Sequence, residues 1–318
     1  MSSPASLRIG TRGSKLARWQ SDWVAGQLRQ RGASVEIVEI TTQGDVQQLG
    51  PIAAIGGQGV FTKEIQAALL ARHVDLAVHS LKDLPTATVS GLTIAAIPER
   101  ENPGDALVTS RAESLATLSP GAKVGTGSQR RVAQLLALRP DLAAETIRGN
   151  VDTRLRKLDA GEYDAIILAA AGLTRLGWAG RIAELLAPPL MLPAPGQGAL
   201  AIECRADDAV AIAVVAALDH AETRLAVAAE RSLLAALHGG CSVPVAAWGR
   251  VEGSELRLDA LVAALDGKLV LRASGGDSLT SALNSGEAGA IAESLGRRLA
   301  DELLRQGAAE LIEAARRE

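Results

Sequence analysis

The chain has 318 residues, 47% hydrophobic but only 2% aromatic, and a formal net charge of −3. That length supports two or three domains with substantial cores. The balanced charge argues against a general nucleic-acid or membrane-surface binder, and two cysteines cannot build a disulfide framework, as fits a reducing compartment.

The first stretch, Leu7 to Ser14, reads as a short apolar strand, a Gly-Thr turn and a Ser opening a helix that runs to about Arg31. Met1 to Arg12 lacks the apolar core of a signal peptide, and no apolar run approaches the ~20 residues of a membrane span. The expectation is a cytoplasmic protein without a nucleic-acid or membrane partner. Gln43 to Gly59 is rich in Gly and Gln and poor in periodic apolar residues. Long connections of this kind are usually functional lids or disordered, and a lid over a cleft is expected at about 43–60. Thr62 to Leu70 then predicts a helix leading into the strand Asp75 to His79.

The design repeats. Ala122 to Ser128 is again a strand with a Gly-Thr turn, and Gln129 to Leu136 a helix; Thr153 to Leu158 then leads into the strand Asp164 to Leu168. Alternating strands and helices predict two parallel-sheet α/β lobes, with ligands at the carboxyl ends of the strands and a cleft between the lobes. Beyond residue 216 the pattern changes to a helix at Glu222 to Leu237, strands at Val243–Val251, Leu256–Leu265 and Leu269–Ala273, and a closing helix at Ala290–Leu304. The expected division is 1–98 with 194–215 as one lobe, 99–193 as the second, and 216–318 as a small α+β domain with an antiparallel sheet.

Cys241 lies in the glycine turn His238 to Pro244, where helix meets strand. Two glycines free the backbone beside the sulfur, so the thiol reads as a nucleophile, a covalent anchor or a small buried apolar residue. Arginines recur at predicted strand ends and helix starts: Arg12, Arg130, Arg131, Arg148, Arg154 and Arg175. Guanidinium forks suit carboxylates and phosphates, and several in one cleft call for a polyanionic ligand. In Val78 to Pro85 an apolar strand ends in Ser80, Lys82 and Asp83, and a carboxylate there stabilises either a turn or a developing cation. Gly196 to Ala201 matches a dinucleotide fingerprint as text but leads into a strand-like run, so that reading is set aside. Four scattered histidines and two distant cysteines predict no metal cluster.

Seven runs occur together and in order: Gly10–Ala17, Gly59–Glu64, Val78–Pro85, Gly125–Arg131, Arg148–Val151, Leu192–Gly198 and Gly239–Pro244. Through them the chain resembles the porphobilinogen deaminase (hydroxymethylbilane synthase) family over nearly its whole length. The resemblance implies two duplicated lobes of periplasmic-binding-protein-like architecture around a cleft. It also implies a monomer with a dipyrromethane cofactor joined to Cys241 by a thioether. Four porphobilinogen molecules are then condensed head to tail, with loss of ammonia, into linear hydroxymethylbilane for tetrapyrrole biosynthesis. By the same resemblance Asp83 contacts pyrrole N–H groups and stabilises the cation formed when ammonia leaves. Lys82, Asp83, Ser128, Arg130, Arg131 and Arg148 would hold the cofactor, and Arg12, Ser14, Arg148, Arg154, Arg175 and Phe61 the substrate. Departures from the family pattern are Gly127 and Gln129 before the paired arginines, Gly13 in the first run, and a lid without lysine before Lys63. Two other readings compete: a non-catalytic two-lobed anion binder, and an enzyme using Cys241 as nucleophile with His238 nearby.

Overall fold

In strand β1 (Ser6–Thr11), Leu7 and Ile9 are buried around half-exposed Arg8, and Gly10 and Thr11 are buried as well, so beyond Arg8 the strand is covered on both faces. The computed structural model describes residues 6–42, 62–111, 113–238, 243–280 and 287–317. Ser14 caps helix α1 (Lys15–Gln30), its hydroxyl accepting the Ala17 N–H at 3.3 Å. The helix lays Val24, Ala25 and Leu28 on the sheet, in one core with Leu7, Ile9 and Leu76. Strand β2 (Ser34–Glu39), helix α2 (Lys63–Leu70) and strand β3 (Leu76–Ser80) follow, then β4 (Leu92–Ala96).

The next sheet is built from β5 (Asp105–Thr109), β6 (Lys123–Gly125), β7 (Ala143–Glu145), β8 (Ala165–Ala169) and β9 (Glu184–Leu186). Helices α3 (Gln129–Leu138), α4 (Val151–Asp159) and α5 (Ala170–Arg175) lie between these strands in sequence. Strand β10 (Leu200–Arg205) then returns to the first sheet and helix α6 (Ala209–Val215) packs behind it. The orders are β2-β1-β3-β10-β4 and β7-β6-β8-β5-β9, one topology used twice. Both sheets are mixed, which corrects the parallel expectation. Strands β1 to β3 pair parallel, as do β6 to β8; β10 and β5 enter antiparallel to both of their neighbours. The physical cause is that each inserted strand arrives from outside the βαβ run, so no crossover helix constrains its direction.

Helix α7 (Ala221–Ala236) precedes the antiparallel sheet β11 (Val245–Glu252), β12 (Glu255–Ala263) and β13 (Val270–Ser278), followed by α8 (Ala288–Arg305) and α9 (Ala308–Arg317). Leu233, Leu258, Leu295, Leu299 and Ile312 share its core. The chain divides into two compact units, Met1–Glu101 with Ala199–Arg224, and Asn102–Gly198 with Leu225–Glu318. The second unit therefore joins the second mixed sheet to the antiparallel one. Ala133 and Leu192 pack with Ala246, Leu261 and Ala263, and the Ala247 N–H donates to the Pro193 carbonyl at 3.0 Å. The β12–β13 turn presses on α3: a Cβ at Gly267, whose φ is +72°, would lie 2.3 Å from the Ala137 nitrogen. Among the described residues no helix is long and apolar enough to cross a membrane.

Candidate active site

In the first unit the parallel strands β1 and β3 end on one edge, where the loops after them are adjacent. Arg12 and Ser14 follow β1, both half-buried, and Ser14 is the cap described above. After β3 comes a single 3₁₀ turn, Leu81–Asp83. Buried Leu81 anchors it and donates its N–H to the Ala199 carbonyl at 3.0 Å. Lys82 is half-buried and Asp83 is exposed; among the described residues the Asp83 carboxylate has no hydrogen-bond or ion-pair partner. Buried His79 on β3 faces Glu203 on β10 at 3.0 Å, and the Gln66 amide of α2 donates to both Glu203 oxygens at 3.0 and 3.2 Å.

In the second unit the parallel strands β6, β7 and β8 likewise end on one edge. Ser128 is half-buried at the N-cap of α3 and receives no side-chain cap bond. Arg130 and Arg131 in the first turn of that helix are buried. Strand β5 runs antiparallel, so its first residue, Asp105, stands at the same edge opposite Ala169. Both guanidinium groups close on Asp105: Arg130 Nη1 at 2.6 Å, Arg131 Nε at 3.0 Å and Arg131 Nη2 at 2.8 Å. Burial works against ionisation of Asp105, but the charges and hydrogen bonds of the two arginines outweigh it and hold the carboxyl far below its usual range. Burial lowers the Arg131 pKa, with Asp105 opposing that shift and Arg130 adding to it.

The remaining arginines differ. Arg175 is buried and donates to the Gly198 carbonyl at 2.6 Å; half-buried Arg154 donates Nε to the Gly149 carbonyl at 2.8 Å. Arg148, half-buried after β7, has no hydrogen-bond or ion-pair partner among the described residues. The structure thus gathers Arg12, Ser14, Lys82 and Asp83 on one sheet edge, and Ser128, Arg130, Arg131, Arg148, Arg154 and Arg175 on the other. Sequence reasoning missed Asp105, which reads as one more polar residue after the turn Asn102 to Gly104.

Cys204 lies buried within β10, its thiol pushed up to about 11 by burial first and by Asp208 second, so it is unreactive at neutral pH. Cys241, Phe61 and the expected lid lie outside the described residues. In sequence, the run that holds Cys241 falls between α7 and β11. His238 there is exposed with φ +48°, and its carbonyl accepts from Arg316. Among the described residues no group of His, Cys, Asp or Glu is arranged to hold a metal ion.

The model of the porphobilinogen deaminase dipyromethane cofactor binding domain matches residues 7–213, and that of the porphobilinogen deaminase C-terminal domain matches 224–305. The chain belongs to the porphobilinogen deaminase family. A porphobilinogen deaminase from Pelobacter propionicus is 49% identical over 98% of this chain and 97% of its own length. One from Acidothermus cellulolyticus is 52% identical over 97% and 91%. A periplasmic substrate-binding protein of an ABC transporter from Coxiella burnetii superposes with a TM-score of 0.43 at 15% identity, covering 71% of this chain and 96% of its own. The cofactor-binding model spans both mixed sheets, and therefore both edges described above. The donor set fits a carboxylate-bearing cofactor: two buried guanidinium groups share one carboxylate, and among the described residues the buried Arg130 Nε has no partner.

Proposed function

We propose that this chain condenses four porphobilinogen molecules head to tail, with loss of ammonia, into linear hydroxymethylbilane on a dipyrromethane primer bound through Cys241. The observation that carries the reading is the match of both family models in order along almost the whole chain. Porphobilinogen deaminase activity in tetrapyrrole biosynthesis and a dipyrromethane cofactor come with that membership. When bound, the dipyrromethane supplies the free pyrrole α-carbon that starts the chain.

The protein's own groups supply fixed charge and orientation. Asp83 stands on the turn after β3, exposed and without a partner among the described residues, so its Oδ atoms accept pyrrole N–H groups and its charge stabilises the cation that forms as ammonia leaves. The same carboxylate takes up and returns the proton exchanged as each new bond forms. Arg130, Arg131, Arg148, Lys82 and Ser128 hold cofactor carboxylates, while Arg12, Ser14, Arg148, Arg154 and Arg175 hold those of the substrate, with Phe61 packing on a pyrrole ring. Buried Cys204 supports assigning the tether to Cys241, because the chain has two cysteines and this one is held as an inert thiol. We further assign the enzyme to the cytoplasm as a monomer, to be checked by light scattering after size exclusion.

Intact mass tests the reading. The purified protein should weigh more than its chain by two pyrrole units, and Cys241→Ala should lack the adduct. An unmodified, active wild-type protein would overturn it.

A further inference from the structure

The turn Leu192–Gly198 is where arginines of the second unit converge. The Leu192 carbonyl accepts from Arg130 Nη1 at 2.7 Å, and the Gly198 carbonyl from Arg175 Nη2 at 2.6 Å. The Gln197 amide donates to Asp105 Oδ1 at 2.8 Å and to the Pro103 carbonyl at 2.7 Å. Fully buried Glu230 of α7 fixes the turn from behind: Oε2 accepts the Gly196 N–H at 2.6 Å and Oε1 the Gly249 N–H at 2.7 Å. Gly196 and Gly198 hold φ of +76° and +87°, conformations that glycine enters without steric cost.

At the centre, Asp105 Oδ1 accepts from Arg130 Nη2, Arg131 Nε, Arg131 Nη2 and Gln197, while Oδ2 accepts from Arg130 Nη1. All three charged side chains are buried, so two cations face one anion and the group carries one positive charge in excess. Among the described residues no second anion pairs with Arg130 or Arg131, and the buried Arg130 Nε has no partner; both are costly. One further anion would balance both.

We propose that Asp105 is a positioning residue: a resident counter-anion that seats Arg130 and Arg131 side by side and leaves one charge for a single ligand carboxylate. Gln197 aims it. This rests on the reading that Arg130 and Arg131 hold a cofactor carboxylate. Two bare guanidinium groups would repel and part; two resident carboxylates would leave nothing for the ligand.

Chemical rescue tests the proposal. Asp105→Ala is grown with and without formate, then read by intact mass for the two-pyrrole adduct and by thermal melting. The loaded fraction is expected to fall by about tenfold or more and to return with formate, which refills the volume and restores the charge. Formamide, neutral and similar in shape, and chloride at equal ionic strength are expected to restore nothing. Normal loading without formate overturns the proposal, as does equal rescue by formamide. If Asp105→Ala fails to fold, Asp105→Asn keeps the volume and reads the charge. Folded and unloaded supports the proposal; folded and loaded overturns it, and failure to fold overturns it by making Asp105 a requirement of the fold alone. Arg130→Gln is measured in parallel. Normal loading there removes the underlying carboxylate-holding reading, whereas loss there with normal loading in Asp105→Ala removes only the inference about Asp105.

Discussion

Two aspartates stand at the same topological edge of two sheets with the same strand order, in opposite environments. Asp83 is exposed on one 3₁₀ turn, with no partner among the described residues. Asp105 is wholly buried under two arginines and an amide. A carboxylate left open can meet a reacting group; one enclosed by guanidinium groups has already spent its charge within the fold. Residue type and sheet edge are shared, but Asp83 follows a parallel strand on a turn while Asp105 opens an antiparallel one, and the packing around each carboxylate differs accordingly.

The largest effect that bears on this contrast is expected from Asp83→Asn. Turnover should fall by about 10²–10³ while the melting temperature stays that of the wild type, measured by steady-state kinetics and calorimetry. A parallel loss of stability would break the contrast at its open end. Next, Asp105→Asn should cost about 3 kcal/mol in urea unfolding at neutral pH, because it leaves two buried cations without their anion. A cost near zero would break it at the closed end.

Acid sharpens the same difference. The folded protein holds Asp105 below the ordinary carboxylate range, and also Asp75, where burial is outweighed by hydrogen bonds from Arg8 and Arg205. Below a pH of about 4 the unfolded chain therefore binds more protons than the folded one. The stability these groups provide is fully present above that range and is lost as pH falls. In Asp105→Asn the loss per pH unit should be smaller by about 1.4 kcal/mol, read from urea midpoints across the acid range. The smallest effect is expected at Arg148→Ala, half-buried and without a partner among the described residues. Stability should move by less than about 0.5 kcal/mol, while KM for porphobilinogen rises.

Much of the scaffold was legible because local signals agree with it. Ser14 before an amphipathic run marked α1, and the Gly-Thr turns marked the ends of β1 and β6. Strand β13 read too short, because Gly275 and Gly276 weaken its pattern although both pair with β12. Helix α9 carries a weak local signal, its buried face being only Ala308, Ile312 and Ala315. The antiparallel entry of β5 and β10 is set by long-range pairing that no local window contains. For the same reason Asp105 was invisible as part of the site: nothing in its neighbourhood announces arginines some 25 residues ahead.

The hairpin tip at Gly267 has a consequence for reading variants. It looks like an ordinary turn glycine, remote in sequence from every reacting group, where a substitution would be scored as neutral. Yet it abuts the backbone at Ala137, on the helix whose first turn carries Arg130 and Arg131. A serine or alanine there would displace the far end of that helix and be felt at its arginines. Gly267→Ala should therefore present as a cofactor-loading defect rather than as a surface polymorphism.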